Sequence, residues 1–170
     1  VISEKTTLTN KENPTFEVKN GDIDFENVSF SYANDSDHLN LESINLHIKS
    51  GDMIGIIGGT GSSKTTLVNL IPRLYDVTSG TVKVGDIDVR DYDLETLRNN
   101  VAVVLQKNVL FSGTIRDNLK WGKEDATDEE IIAAAKKAHA HSFIKRLPQG
   151  YDTVISEDGG NLSQGQKQLL

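Results

Sequence analysis

One stretch constrains this chain more than any other: GIIGGTGSSKTTLVNLI, Gly55 to Ile71. Apolar residues lead into clustered glycines. A lysine and two threonines follow, and Leu67, Leu70, Ile71 and Leu74 then recur at helical spacing. The pattern Gly58-x-x-Gly61-x-Ser63-Lys64-Thr65 is one residue away from a phosphate-binding loop, because Ser63 stands where the pattern has glycine. The spacing has a physical reason. Small residues from Gly58 and Gly59 through Thr60, Gly61 and Ser62 let backbone amides converge on phosphate oxygens. The start of the following helix adds partial positive charge. Lys64 can then reach the β and γ phosphates, and the hydroxyl of Thr65 suits magnesium. If Ser63 has helical backbone angles, its Cβ carries no left-handed penalty, and only crowding near the phosphates is left. A plain glycine-rich turn before a core helix is the weaker reading, since a strand pattern precedes and a helix pattern follows. A Rossmann site is also a weaker reading, because its spacing differs and that fold has no use for the Lys64-Thr65 pair.

Composition sets bounds on this reading. The chain has 170 residues, 36% hydrophobic and 25% charged, enough to fold around a core. A net charge of -7 argues against nucleic acid as a partner, while a local nest of amides can still hold an anion. There is no cysteine, so disulfides and thiolate metal sites are excluded. No apolar run approaches the roughly 20 residues that span a bilayer. The chain begins without Met and ends in SQGQKQLL, so it reads as a piece of something longer.

Along the chain, residues 1–20 are polar and read as a linker or mobile arm. Ile23, Phe25, Val28 and Phe30 alternate with polar residues, with a slip at Glu26-Asn27 that suggests a bulge. Leu41 to Ile48 alternates again. MIGIIG, from Met53, and VAVVLQ, Val101 to Gln106, are continuously apolar and predict strands covered on both faces. Thr78 to Gly80 predicts a turn, and two short strands flank Gly85. Thr127 to Leu147 predicts one long helix, opened by a capping box of Thr127 and Glu130. Its apolar side is Ile131, Ile132, Ala135, Ala138, Ile144 and Leu147, and Lys136, Lys137, Lys145 and Arg146 form its solvated side. Strands first and strand-helix units later indicate a mixed α/β domain. His139 and His141 are two apart on that helix, share no face, and make a poor metal site.

Further motifs, in order, carry a resemblance. FENVSFSY ends in Tyr32, VVLQKNVLFSGTIRDNL contains Gln106, and YDTVISEDGGNLSQGQKQLL contains Glu157 and the string Leu162-Ser163-Gln164-Gly165-Gln166. Together with the phosphate loop, they make the chain resemble the nucleotide-binding domain of an ATP-binding-cassette transporter of the exporter type, from about Asp22 to Leu170. The resemblance implies a fold similar to phosphate-loop NTPases: a mixed sheet, an N-terminal antiparallel β subdomain and a helical subdomain. It divides the chain into an arm, 1–20, that follows a membrane domain, and an incomplete nucleotide-binding domain, 21–170. Within the latter, 21–106 would be the β subdomain and phosphate-loop core, 107–162 the helical subdomain, and 163–170 the start of the signature helix.

The resemblance also implies roles. Tyr32 would stack on adenine, and the segment Gly58 to Thr66 would hold the phosphates of ATP with Mg2+. Lys64 and Gln106 would act in hydrolysis, and Thr65 and Gln106 would contact the magnesium. Ser163, Gln164, Gly165 and Gln166 would meet ATP held by a second nucleotide-binding domain, in a homodimer or heterodimer, although the family form has glycine where this chain has Gln164. Ser163 can cap its helix, with Gln166 three residues on. Glu157 would couple to the membrane domain. The location implied is the cytoplasmic face of a membrane. In the family, an apolar strand ending in aspartate, then a catalytic glutamate, follows the signature. The sequence stops before them, so the fragment alone is expected to bind ATP weakly or not at all, to be inactive, and to leave the Gly51–Ile57 strand without its neighbour. A phosphate-loop small-molecule kinase and a non-hydrolysing, nucleotide-responsive regulator are the rival readings.

Overall fold

A computed structural model describes residues 6–33, 35, 37–105, 108–156 and 159–170. They form two compact units, one up to Ala102 and the other from Val103 to Leu170. The architecture is mixed α/β, with an antiparallel sheet early in the chain and helices later.

In the first unit the alternating segments pair as their patterns dictate. β1 (Ile23–Phe30) is central, between β2 (Leu41–Ile48) and β3 (Ser79–Val84), and β4 (Ile87–Asp88) pairs with β3, all antiparallel. The slip at Glu26-Asn27 is a register shift between Phe25 and Val28 with Asn27 at φ 48°, so Val28 and Phe30 return to the buried face. The expected turn at Thr78–Gly80 is a bend at Thr78 only, and Ser79 and Gly80 already belong to β3. Gly80 has φ 81°, and a Cβ there would lie 2.3 Å from the carbonyl oxygen of Asn27, so the bulge in β1 and this glycine fit one another. Phe25, Val28, Phe30, Val82 and Val84 pack with Leu70 of α1 (Lys64–Leu70) and Leu97 of α2 (Leu94–Asn100). Tyr92 is wholly buried among them, and its hydroxyl donates to the Val84 carbonyl at 2.7 Å.

Three expectations fail among these segments. Residues 53–58 are not a strand: Met53 and Ile57 are 98% exposed. Residues 101–105 are not a strand either, and Val104 and Leu105 are exposed. Apolar content alone cannot make a strand; a ladder partner is required, and no described strand pairs with either segment. The N-terminal arm, expected to be mobile, is docked. Thr15 bridges Tyr92, its amide donating to Asp91 and its carbonyl accepting from Asp93. Asn10 donates to the Asp93 carboxylate and accepts from the amide of Leu94, and Lys11 is paired with Asp91.

The second unit is built from short elements. β5 (Gly113–Thr114) pairs antiparallel with β6 (Val154–Ile155). Around them lie α3 (Ile115–Leu119), α4 (Asp128–Lys137), α5 (His141–Ile144) and α6 (Gln164–Leu169). Ile115, Ala135, Ala140, Ile144 and Ile155 form its core. The single helix expected over 127–147 is two helices. The chain breaks at His139, at φ 58°, a left-handed residue that ends α4 and re-aims the chain into α5. Ala138, expected on the apolar side, is exposed as a result. The capping box is as read: Thr127 accepts from the Glu130 amide, and Glu130 accepts from the Thr127 amide. α3 has an equivalent box of Thr114 and Asp117, and Asp93 caps α2 through the Thr96 amide. Asp93, Asp117 and Glu130 are each lowered from the ordinary carboxylate value. The chief cause is the Thr96 amide at Asp93 and the Thr114 amide at Asp117; at Glu130 it is Lys123, then the Thr127 amide.

Candidate nucleotide site

The phosphate-loop segment turns where the glycine pattern allows it. Gly61 has φ 81°, and the Ser62 amide donates back to the Gly59 carbonyl at 3.3 Å. α1 then begins, with the Leu67 amide bonded to the Ser63 carbonyl. Ser63 precedes the helix with φ 58° and ψ 24°, and its side chain makes no capping bond. Its backbone is therefore left-handed, not helical. Serine at this position is strained where glycine would not be.

Lys64 folds back over the loop. Its ammonium donates to the carbonyls of Gly58 and Gly59, each at 2.7 Å, and to the Ser62 hydroxyl at 3.1 Å. Those bonds draw the loop into a ring around a cation, and all three ammonium protons are used. A concavity of about 260 Å³ opens beside it, lined by Gly61, Ser62, Ser63, Lys64, Thr65 and Thr66. Thr65 is exposed there, and Thr66 is buried. Open space surrounds Gly59 and Gly61, while a Cβ at Gly58 would meet the Ser62 hydroxyl at 2.5 Å.

Tyr32 belongs to the same unit and is brought to the same helix. The chain leaves β1 at Phe30, the Ser31 amide donates to the Thr78 hydroxyl, and the Tyr32 amide donates to the Asn40 side chain. The Tyr32 ring is 52% exposed, and its hydroxyl shares a hydrogen bond with that of Thr66, 3.0 Å away. The ring platform and the first turn of α1 are thus tied directly. The sequence offered no sign of that tie, nor of Tyr75, whose ring lies edge-on to Tyr32. A lone aromatic after a helix-ending proline matches no motif, and only the fold shows its neighbour.

The second group of candidates is local to α6. The Ser163 hydroxyl accepts from the Gln166 amide at 3.2 Å, and the Gln166 side chain accepts from the Ser163 amide at 2.8 Å. The reciprocal box leaves Gln164 and Gly165 exposed at the start of the helix. Gln106 and Glu157 lie outside the described residues.

The structure thus brings the Lys64 loop, the start of α1 and the Tyr32 ring together in one unit. A family model described as ABC transporter matches residues 41–170. The chain belongs to the ABC transporter family. A Staphylococcus aureus protein named "Putative multidrug export ATP-binding/permease protein" is 49% identical over 154 residues, covering 91% of this chain and 26% of that protein. Bacillus subtilis YgaD, similarly named, is 49% identical over 150 residues, covering 88% of this chain and 26% of its own length. A solved bacterial Atm1-family ABC exporter with ATP bound superposes with a TM-score of 0.90 at 35% identity, covering 99% of this chain and 29% of that one. This chain is thus a nucleotide-binding domain related to those of exporter-type members, and it spans about a quarter of the length of the curated relatives it matches. Family membership removes the small-molecule kinase reading.

Proposed function

We propose that this domain binds ATP with magnesium between Tyr32 and the Gly58–Thr66 loop, and that in the whole protein ATP hydrolysis drives export of a substrate across a membrane. The observation that carries the reading is the ring of loop groups around the Lys64 ammonium, opening onto a concavity at the start of α1. The donor set fits a triphosphate. Lys64 supplies positive charge, the loop amides and helix start supply oriented dipoles, and the Thr65 hydroxyl is a hard oxygen ligand for magnesium. Gln106 is its second proposed contact, from outside the described residues. Magnesium held by Thr65 and Gln106 would supply charge neutralisation at the phosphates.

The chain's own residues then have separate tasks. Lys64 exchanges carbonyl partners for phosphate oxygens, a trade of neutral acceptors for charged ones that favours the bound state. The exposed Tyr32 ring offers a flat face to the adenine. Ser163 to Gln166 present a capped helix start to ATP held by a second nucleotide-binding domain, and Glu157 serves coupling to a membrane domain. Residues 21–106 carry the nucleotide in this reading, 107–162 form the helical subdomain, and 1–20 lead from the membrane domain. The relatives' names, which join ATP-binding and permease functions, support association with a membrane domain, and the proposed location is the cytoplasmic face of that membrane.

Titration calorimetry with ATP and magnesium tests it. The complete protein is expected to bind, and Lys64→Ala to abolish the signal. Equal binding by Lys64→Ala would exclude the loop as the phosphate site.

A further inference from the structure

We propose that Tyr75 is a positioning residue for base recognition: it presets the Tyr32 ring on which the adenine stacks. The inference rests on the ATP reading above and deepens it. Tyr32 stands on a turn and is half exposed, so an unsupported ring there would sample several rotamers. Two aromatic neighbours restrict it. Phe30 meets it edge-on, with centroids 4.8 Å apart and planes at 84°. Tyr75 meets it edge-on from its own loop, 5.1 Å away at 89°. Phe30 and Tyr75 are themselves 5.7 Å apart, which closes a triangle of rings. The hydroxyl bond from Tyr32 to Thr66 fixes the remaining end.

The segment that carries Tyr75 is held for such a role. Pro72 follows directly on the end of α1, and Arg73 takes φ 50°. The buried Arg73 guanidinium then grips Asp76 through both carboxylate oxygens, at 2.7 and 3.1 Å, which closes a loop around Leu74 and Tyr75. Arg98 holds the same segment from α2 by donating to the carbonyls of Pro72 and Arg73, at 3.3 and 2.9 Å. Tyr75 is thus mounted on a clamped loop, and its edge-to-face contact transfers that order to Tyr32. A preset ring loses less freedom when a base stacks on it. The gain applies to ligands with a base and not to a bare phosphate chain.

The test compares ATP with inorganic tripolyphosphate, both with magnesium, by calorimetry on the full chain. Tyr75→Leu retains apolar bulk but no ring, and thermal melting checks its fold. It is expected to weaken ATP about three- to tenfold, the scale of one aromatic pair, with tripolyphosphate affinity unchanged within about twofold. Tyr75→Phe, which retains the ring, is expected to restore ATP affinity. Equal loss of both ligands, or no loss of ATP, overturns the proposal. Tyr32→Ala runs in the same series. If that change leaves ATP affinity unaltered, adenine stacking itself has failed, which is distinguishable from failure of the Tyr75 role alone.

Discussion

Ser63→Gly is the most informative single perturbation of the loop. Ser63 has φ 58° and ψ 24°, and its hydroxyl makes no capping bond that the change would remove. An L-residue in that region costs about 1–2 kcal/mol. Glycine removes this cost but adds freedom to the unfolded chain, worth about 0.5–1 kcal/mol. The difference is a gain of about 0–1.5 kcal/mol, centred at about 0.75 kcal/mol. For a chain of this size the central value raises the melting midpoint by about 1.5–3 °C. Paired urea and thermal melts, with a common slope in urea, measure it. Because the loop already has its shape, ATP affinity should change by less than about tenfold, or about 1.4 kcal/mol. A lowered midpoint would refute the strain argument. A much larger gain in affinity would show that serine impairs the site, and would favour the regulator reading.

Other expectations concern the frame around the site. Gly80→Ala drives a Cβ to 2.3 Å from the Asn27 carbonyl oxygen at a positive φ, and should destabilise the first unit by more than about 2 kcal/mol in urea melts. Thr127→Ala removes one half of the box that opens α4 and should cost about 1 kcal/mol in the same assay. The acids Asp93, Asp117 and Glu130 have folded pKa values below their unfolded ones. The unfolded chain therefore binds more protons. Their stabilisation is present above the unfolded carboxylate range and is lost as pH falls from about 4 through the depressed folded values. Melting midpoints between pH 6 and pH 3 should fall with acid and should not rise.

What could be read in the sequence was what is decided locally. The Thr127–Glu130 and Ser163–Gln166 boxes are four-residue arrangements, and both form. The alternation of Ile23–Phe30 and Leu41–Ile48 gave two strands with their boundaries, because one buried face enforces register. The strand expected from Met53 failed because pairing is non-local, and an apolar run says nothing of whether a partner reaches it. The docked arm depends on Asn10 meeting Asp93 and Leu94, more than 80 residues away. His139 and Ser63 take left-handed angles through their surroundings, and neither residue type signals that alone. At the site, Lys64 and the glycines were legible from spacing, while the Tyr32–Thr66 bond and the Tyr75 contact emerged only from the fold.

The account depends on the loop amides receiving a triphosphate. Amide chemical shifts of the ¹⁵N-labelled chain, followed as ATP and magnesium are added, test that most directly. Saturable shifts concentrated at Gly58 to Thr66, with Tyr32 and Tyr75 responding beside them, are the result expected. A loop that stays unmoved at saturating ATP, or shifts confined to residues elsewhere, would contradict it.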